Sequence, residues 1–226
     1  MDLTRELLHA LPDLPRWVEL RSHLLEGTAT VEGEPSACVV RGDDGAGSPQ
    51  LFVVGKPPAD LLTRMLSQSP AELLVPPESH EHVAAILGRR GLRADLLTLR
   101  QPLPRQAPPE TRIISSLADA PAFPPELEEE LRAALRRVPL AVALEAEQAV
   151  AFCYPGSISE SLWDVSIDTL AGFRRRGHAM RAVRAMMMLM AGRGRVPIWG
   201  ASEDNPASSH LAHKLGFQEA DELYLF

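Results

Sequence analysis

Apolar residues recur along this chain at two spacings. In some stretches they lie three to four apart, and in others they form short unbroken or alternating runs. The first spacing predicts helices and the second predicts strands. Residues 2–11 and Arg16–Leu25 predict two opening helices, followed by strands at Ala37–Arg41 and Leu51–Gly55. Between those strands, Gly42, Asp43, Asp44, Gly45, Ala46 and Gly47 predict an exposed hairpin loop. A helix near Ala59–Ser67, a strand at Glu72–Val75, a helix over Ser79–Arg90 and a strand at Leu92–Leu99 come next. Pro102, Pro104, Pro108 and Pro109 then remove backbone donors from any helix or ladder, so they predict an extended connector. The domain boundary is placed there, giving domains of residues 1–108 and 109–226.

Beyond the connector, Pro125–Val138 predicts a helix in which Leu127, Leu131, Leu135 and Val138 share one face, with acids leading and arginines trailing in accord with the helix dipole. Such a face should pack on a sheet. Leu140–Leu144 and Val150–Tyr154 predict a hairpin, Leu162–Leu170 a longer strand, and His178–Ala191 a helix whose Met180, Met186, Met187, Met188 and Met190 read as core filler. A strand at Val196–Ala201, a helix over Pro206–Lys214 and a strand at Leu223–Phe226 close the chain. This alternation predicts an α/β class with an α+β mixed sheet. The order strand, helix ending near Arg89 and Arg90, Gly91, strand also echoes the later order strand, helix, Gly216, strand.

Composition narrows the function classes. The 226 residues carry 23 basic and 30 acidic side chains, a net charge of −7, which argues against a general nucleic-acid binder. Cys38 and Cys153 are too few and too far apart for a disulfide framework or a zinc knuckle, and they fit a reducing cytoplasm. The early Asp2, Arg5 and Glu6 speak against a signal peptide. The longest apolar stretch, Ala185–Ala191, is far shorter than the roughly 20 residues of a membrane span. A cytoplasmic location with no membrane partner is expected.

Charge is unevenly spread. Residues 171–200 hold Arg174, Arg175, Arg176, Arg181, Arg184, Arg193 and Arg195 and no acid. Within that stretch, Arg174, Arg175, Arg176, Gly177, His178 and Ala179 fall after a strand and before a helix, where free backbone N–H groups and the positive helix end favour an anion. A phosphate or pyrophosphate is the expected ligand. The segment has neither the GxxxxGK[ST] of a P-loop nor a GxGxxG. Further on, Asn205, Pro206 and Gly216 suit the start and stop of a helix, and Ser208 lies in its first turn.

Together, the Arg174–Ala179 loop and the later Asn205 with its helix ending in Lys214, Leu215, Gly216 and Phe217 resemble the acetyl-CoA-binding half of the GNAT N-acetyltransferase superfamily, over roughly Pro139–Phe226. Val165–Thr169 adds a weaker likeness to its zwittermicin-resistance-type branch. The resemblance implies a GNAT-like acyltransferase fold, acetyl-CoA as cosubstrate, no metal, and a small-molecule or peptide amine as acceptor. It implies that Arg174, Arg175, Arg176, Gly177, His178 and Ala179 bind the pyrophosphate. Main-chain groups of Ile167 and Thr169 would pair with pantetheine, and Asn205 and Ser208 would flank the thiol end. The amino-terminal half then reads as a degenerate GNAT-like repeat, with Lys56, Pro57 and Pro58 where a phosphate loop would stand. Ala212 occupies the position at which many members place a tyrosine that protonates the leaving thiolate. His210, Tyr154 or water are the substitutes the sequence offers.

For the base, Asp164, Ser166 and Asp168 alternate on one face of the predicted strand, against Trp163, Val165, Ile167 and Thr169 on the other. Asp168 is next to the anionic loop, and Asp164 is about 13 Å further along at about 3.3 Å per residue, so Asp164 is the preferred base or amine-orienting group. Pairing of both acids with nearby arginines is the competing reading. His80 and His82, with Glu78 and Glu81, are expected at a solvated helix start, and His178 is expected to face solvent. The predicted activity is acyl-CoA-dependent N-acetyl transfer by direct attack of an amine on the thioester. A non-catalytic acyl-CoA-binding or interaction module is the alternative, and a phosphate-binding protein for another nucleotide comes third.

Overall fold

The computed structural model describes residues 3–43, 49–68, 71–99, 106–116, 118–119, 121 and 123–226. The strands are β1 (Ala29–Glu34), β2 (Ala37–Gly42), β3 (Gln50–Gly55), β4 (Glu72–Val75), β5 (Leu92–Leu99), β6 (Thr111–Ile114), β7 (Leu140–Glu145), β8 (Gln148–Ile158), β9 (Leu162–Thr169), β10 (Val196–Ser202) and β11 (Phe217–Leu225). The helices are α1 (Leu3–Ala10), α2 (Val18–Glu26), α3 (Ala59–Gln68), α4 (Pro77–Leu87), α5 (Glu128–Arg137), α6 (His178–Ala191) and α7 (Pro206–Lys214). The mixed α/β class expected from the sequence is the observed one. Asp44 to Gly47 of the expected hairpin loop, and Pro102 and Pro104 of the connector, lie outside the described residues.

The chain folds into two compact units. One holds the described residues up to Leu97, with Gly200–His210 and Glu219–Phe226. The other runs from Thr98 to Trp199 and includes Leu211–Gln218. In the first unit the strand order is β1, β2, β3, β4, β11, β5. β1, β2 and β3 form an antiparallel meander, and β3 then runs parallel to β4 through the α3 crossover. Val39, Leu51, Val53, Leu62, Met65, Leu73 and Val75 make its core. The end of β11 pairs with β4, Tyr224 opposite Val75 and Leu225 opposite Leu74, while Arg16 forms an ion pair with Asp221.

The second unit repeats the pattern. β6, β7, β8 and β9 are antiparallel neighbours, and β9 runs parallel to β10 through the α6 crossover. Leu131 and Leu135 of α5 pack against Leu140, Val142, Phe152 and Tyr154, as the helical spacing predicts. Met186, Met187 and Met190 of α6 are buried and Met180 and Met188 half-buried, so the methionines do fill the core.

Several boundaries differ from those the sequence pattern predicts. The pattern gives no sign of β1 and β6: both are edge strands with polar residues on either face, so no alternation marks them. α4 ends at Leu87 instead of Arg90, because Gly88 adopts φ 65 and its N–H caps the Ala84 carbonyl. β8 continues through Pro155 and Gly156 to Ile158, and β11 starts at Phe217.

Candidate functional site

β9 supplies the first part of the site. Its pairing with β10 covers Leu162, Trp163 and Asp164, opposite Val196, Pro197 and Ile198. β9 itself continues to Thr169, still paired to β8 on the other side. The edge from Val165 to Thr169 therefore offers main-chain donors and acceptors to an extended ligand. Ile167 and Thr169 lie on this stretch. The Thr169 carbonyl is already taken by the Arg174 Nε, at 3.1 Å.

The loop after β9 makes a short helical turn at Ala171–Phe173 and then enters α6. Arg175 has φ 60 and Gly177 φ 86, so the chain twice adopts the left-handed region. For arginine that conformation costs on the order of 1–2 kcal/mol, and it persists only where the surroundings enforce it. A Cβ on Gly177 would meet nothing within 4 Å. The first α6 ladder bond runs from the Arg181 N–H to the Gly177 carbonyl, at 3.2 Å. The N–H groups of His178, Ala179 and Met180 thus have no helical acceptor, and the cap residue, Gly177, has no side chain to bond them. Open backbone donors, a helix dipole and the Arg175 cation, which has no ion-pair partner among the described residues, are the kind of arrangement that favours an anion.

The loop's other side chains are committed. His178 is buried, contrary to the expectation that it faces solvent. Its Nε2 lies 2.6 Å from Glu145 Oε2, and its Nδ1 receives a hydrogen bond from Arg181. Arg176 Nη1 is 2.9 Å from Glu145 Oε1 and its guanidinium sits 5.5 Å from the Phe173 ring centre.

Asp164 stands opposite a bulge. Pro155 pairs with Val165 and Ile158 with Trp163, so Gly156 and Ser157 together face Asp164. A Cβ on Gly156 would fall 2.7 Å from Ser166 Oγ and 3.2 Å from Asp164 Oδ2, which leaves the space above the bulge to those two polar groups. Bulges often redirect side chains beside active sites. The Pro155–Gly156 pair is the sequence signal for this one.

Tyr154 donates from its buried phenol to Glu130. Burial first, and then Glu130, push the phenol well above its ordinary range. Asp168 is also raised, by burial and then by Glu130, with Arg174 opposing. Burial holds the Cys153 thiol far up, which removes it as a nucleophile.

Asn205 caps α7, its Oδ1 accepting from the Ser208 N–H at 3.2 Å. Ala212 is buried, so the position at which the sequence resemblance implies a tyrosine is closed to solvent. His82 reaches the Pro57 carbonyl at 2.8 Å and His80 stacks on Tyr224, so neither is the solvated histidine the sequence suggested.

Residues 141–226 match the family model described as GNAT acetyltransferase. The match lies in the carboxyl-terminal half. Solved structures extend the likeness of fold to nearly the whole chain. A GCN5-related N-acetyltransferase-like protein from Streptococcus suis is 16% identical with a TM-score of 0.68, covering 99% of this chain and 97% of that one. A putative acetyltransferase from the GNAT family of Novosphingobium aromaticivorans is 20% identical with a TM-score of 0.62, covering 94% and 95%. A GCN5-related N-acetyltransferase from Kribbella flavida is 13% identical with a TM-score of 0.59, covering 91% and 93%. A comparison with curated proteins returned no match. Within the matched residues, the arginine-rich loop falls on the crossover from β9 to α6. No described helix is long and apolar enough to cross a membrane.

Proposed function

We propose that the protein is an N-acetyltransferase that moves the acetyl group of acetyl-CoA to a small-molecule or peptide amine by direct attack on the thioester. The observation that carries this reading is the uncapped α6 N-terminus behind Gly177, whose open face continues the free edge of β9. Pyrophosphate would take the N–H groups of Gly177, His178 and Ala179 with the Arg174 and Arg175 charges beside them. Pantetheine would extend along Ile167 and Thr169. In this reading residues 109–226 form the catalytic domain and residues 1–108 a GNAT-like partner.

Asp164 is the proposed base. An ammonium of pKa about 10 is only about one part in 10³ neutral at pH 7, so a carboxylate must take its proton directly or through water. The nitrogen then attacks the thioester carbon, and the CoA thiolate leaves. With a thiol pKa of about 8.5 that group departs without an obligatory acid. Asp168 is the rival base, with its carboxyl raised by burial. The buried Ala212 favours one alternative, an acyl-CoA-binding module without turnover.

The test is CoA thiol release from acetyl-CoA across a panel of amines, with the amide product identified. Release that depends on an amine supports the transferase, and tight binding without release supports the module. Asp164→Asn should lower turnover by about 10²-fold or more with acetyl-CoA affinity kept, and the loss should shrink as rising pH neutralises the amine. A fully active variant moves the base to Asp168.

A further inference from the structure

The three consecutive arginines of the loop do not stand in equivalent places. Arg174 points back to the Thr169 carbonyl and lies near Asp168, while Arg175 occupies the left-handed position at the outer turn. Arg176 instead joins a closed group with Phe173, Glu145 and His178. Its guanidinium bonds one oxygen of Glu145 and stacks over Phe173, which also meets His178 edge-on with ring centres 6.2 Å apart. The second Glu145 oxygen holds His178 Nε2 at 2.6 Å. Arginine can only donate, so the contact from Arg181 makes His178 Nδ1 the acceptor and leaves Nε2 as the donor to Glu145. Arg181 also bonds Glu110. Glu145 is the last residue of β7, followed by Ala146 and Glu147 at φ 47 and 66, a two-residue turn built without the usual asparagine or glycine.

We propose that Glu145 is a positioning residue for the acyl-CoA loop, and that Arg176 acts through Glu145 on loop shape instead of touching the pyrophosphate. The inference rests on the loop's role in the proposed function. One carboxylate ties the loop, through Arg176, and the first residue of α6, through His178, to the end of β7. The backbone donors of Gly177, His178 and Ala179 are thereby held in place before any ligand arrives, which spares the ordering cost at binding. The Arg176 charge is already neutralised by Glu145, so it adds little long-range attraction.

The experiment is calorimetric binding of acetyl-CoA at several salt concentrations to the full chain and to Arg174→Ala, Arg176→Ala, Glu145→Gln, the Arg176→Ala and Glu145→Gln double variant, and Gly177→Glu. Thermal melting of each follows folding. Arg176→Ala and Glu145→Gln should each weaken binding about 3- to 10-fold, and the double variant should lose no more than the worse single, because the link that Arg176→Ala cuts is also cut by Glu145→Gln. Arg176→Ala should keep the salt dependence of the parent, whereas Arg174→Ala should flatten it. Additive losses, a flattened salt dependence in Arg176→Ala, or tighter binding in Glu145→Gln would overturn the proposal. If Arg176→Ala and Glu145→Gln fall short of binding only in proportion to a lowered melting temperature, the role is general stability and the proposal fails. Normal binding by Gly177→Glu is a separate outcome, and it would overturn the loop assignment itself.

Discussion

Each unit contains a strand that crosses over through a helix to a parallel neighbour, and the two crossovers begin with loops of opposite character. After β3 the chain runs Gly55, Lys56, Pro57, Pro58 into α3. The Gly55 carbonyl is held by Ser79 Oγ at 2.6 Å, the Pro57 carbonyl by His82 at 2.8 Å, and a Cβ on Gly55 would lie 1.9 Å from the Ser36 carbonyl oxygen. The two prolines contribute no N–H, and Asp60 places a negative charge in the first turn of α3. After β9 the corresponding glycine opens onto free space, three N–H groups stand uncapped, and the first turn of α6 carries no acid. The first loop is satisfied by side chains of α4. The second keeps unsatisfied donors, one non-glycine residue, Arg175, in the left-handed region and a desolvated carboxylate at Asp168, features that cost stability and are typical of a site awaiting a ligand.

A charge placed in the open loop tests this contrast most severely. Gly177→Glu should weaken acetyl-CoA by at least about 100-fold, roughly 2.7 kcal/mol, because the new carboxylate takes the place of the pyrophosphate. Calorimetry at constant ionic strength measures it. If affinity is unchanged, the two loops do not differ in function.

The closed loop should respond in stability. Gly55→Ala puts a methyl against the Ser36 carbonyl at φ 63, and should destabilise the chain by about 2–3 kcal/mol. Ser79→Ala leaves the Gly55 carbonyl without its buried donor, at a cost of about 1–2 kcal/mol. Denaturant melts give both values. Stability equal to the parent in both variants would mean that the loop is not held by these contacts.

Asp168 should respond more weakly than either loop. Burial first and Glu130 second raise its folded-state carboxyl above the ordinary 3.8. The folded chain therefore keeps this proton to a higher pH than the unfolded chain, and stability is lost as pH rises from the ordinary value through the raised one. Asp168→Asn escapes that loss. It should match the parent below the ordinary value and exceed it at neutral pH, by a margin that partial exposure keeps small. Melting temperature against pH checks the sign, and a gap that opens toward acid would reverse the reading of this carboxylate.

Elements with a strong period, and the loop with a rare composition, are legible in the residues alone. Leu127, Leu131 and Leu135 announce α5, Leu51–Gly55 announces β3, and Arg174–Ala179 announces the turn from a strand into a helix start, because spacing, glycine and helix ends act locally. Which arginine is free and which is held emerges only when the chain is folded. Glu145 is 31 residues before Arg176, and nothing local shows that one carboxylate meets both Arg176 and His178. The same holds for His80 and His82, which look solvated in the sequence and lie on Tyr224 and the Pro57 carbonyl, and for the edge strands β1 and β6, whose polar residues reveal a strand only once a neighbour supplies the ladder. Periodicity records burial of a face, whereas an ion pair or an edge pairing joins residues distant in sequence and leaves no local trace in either.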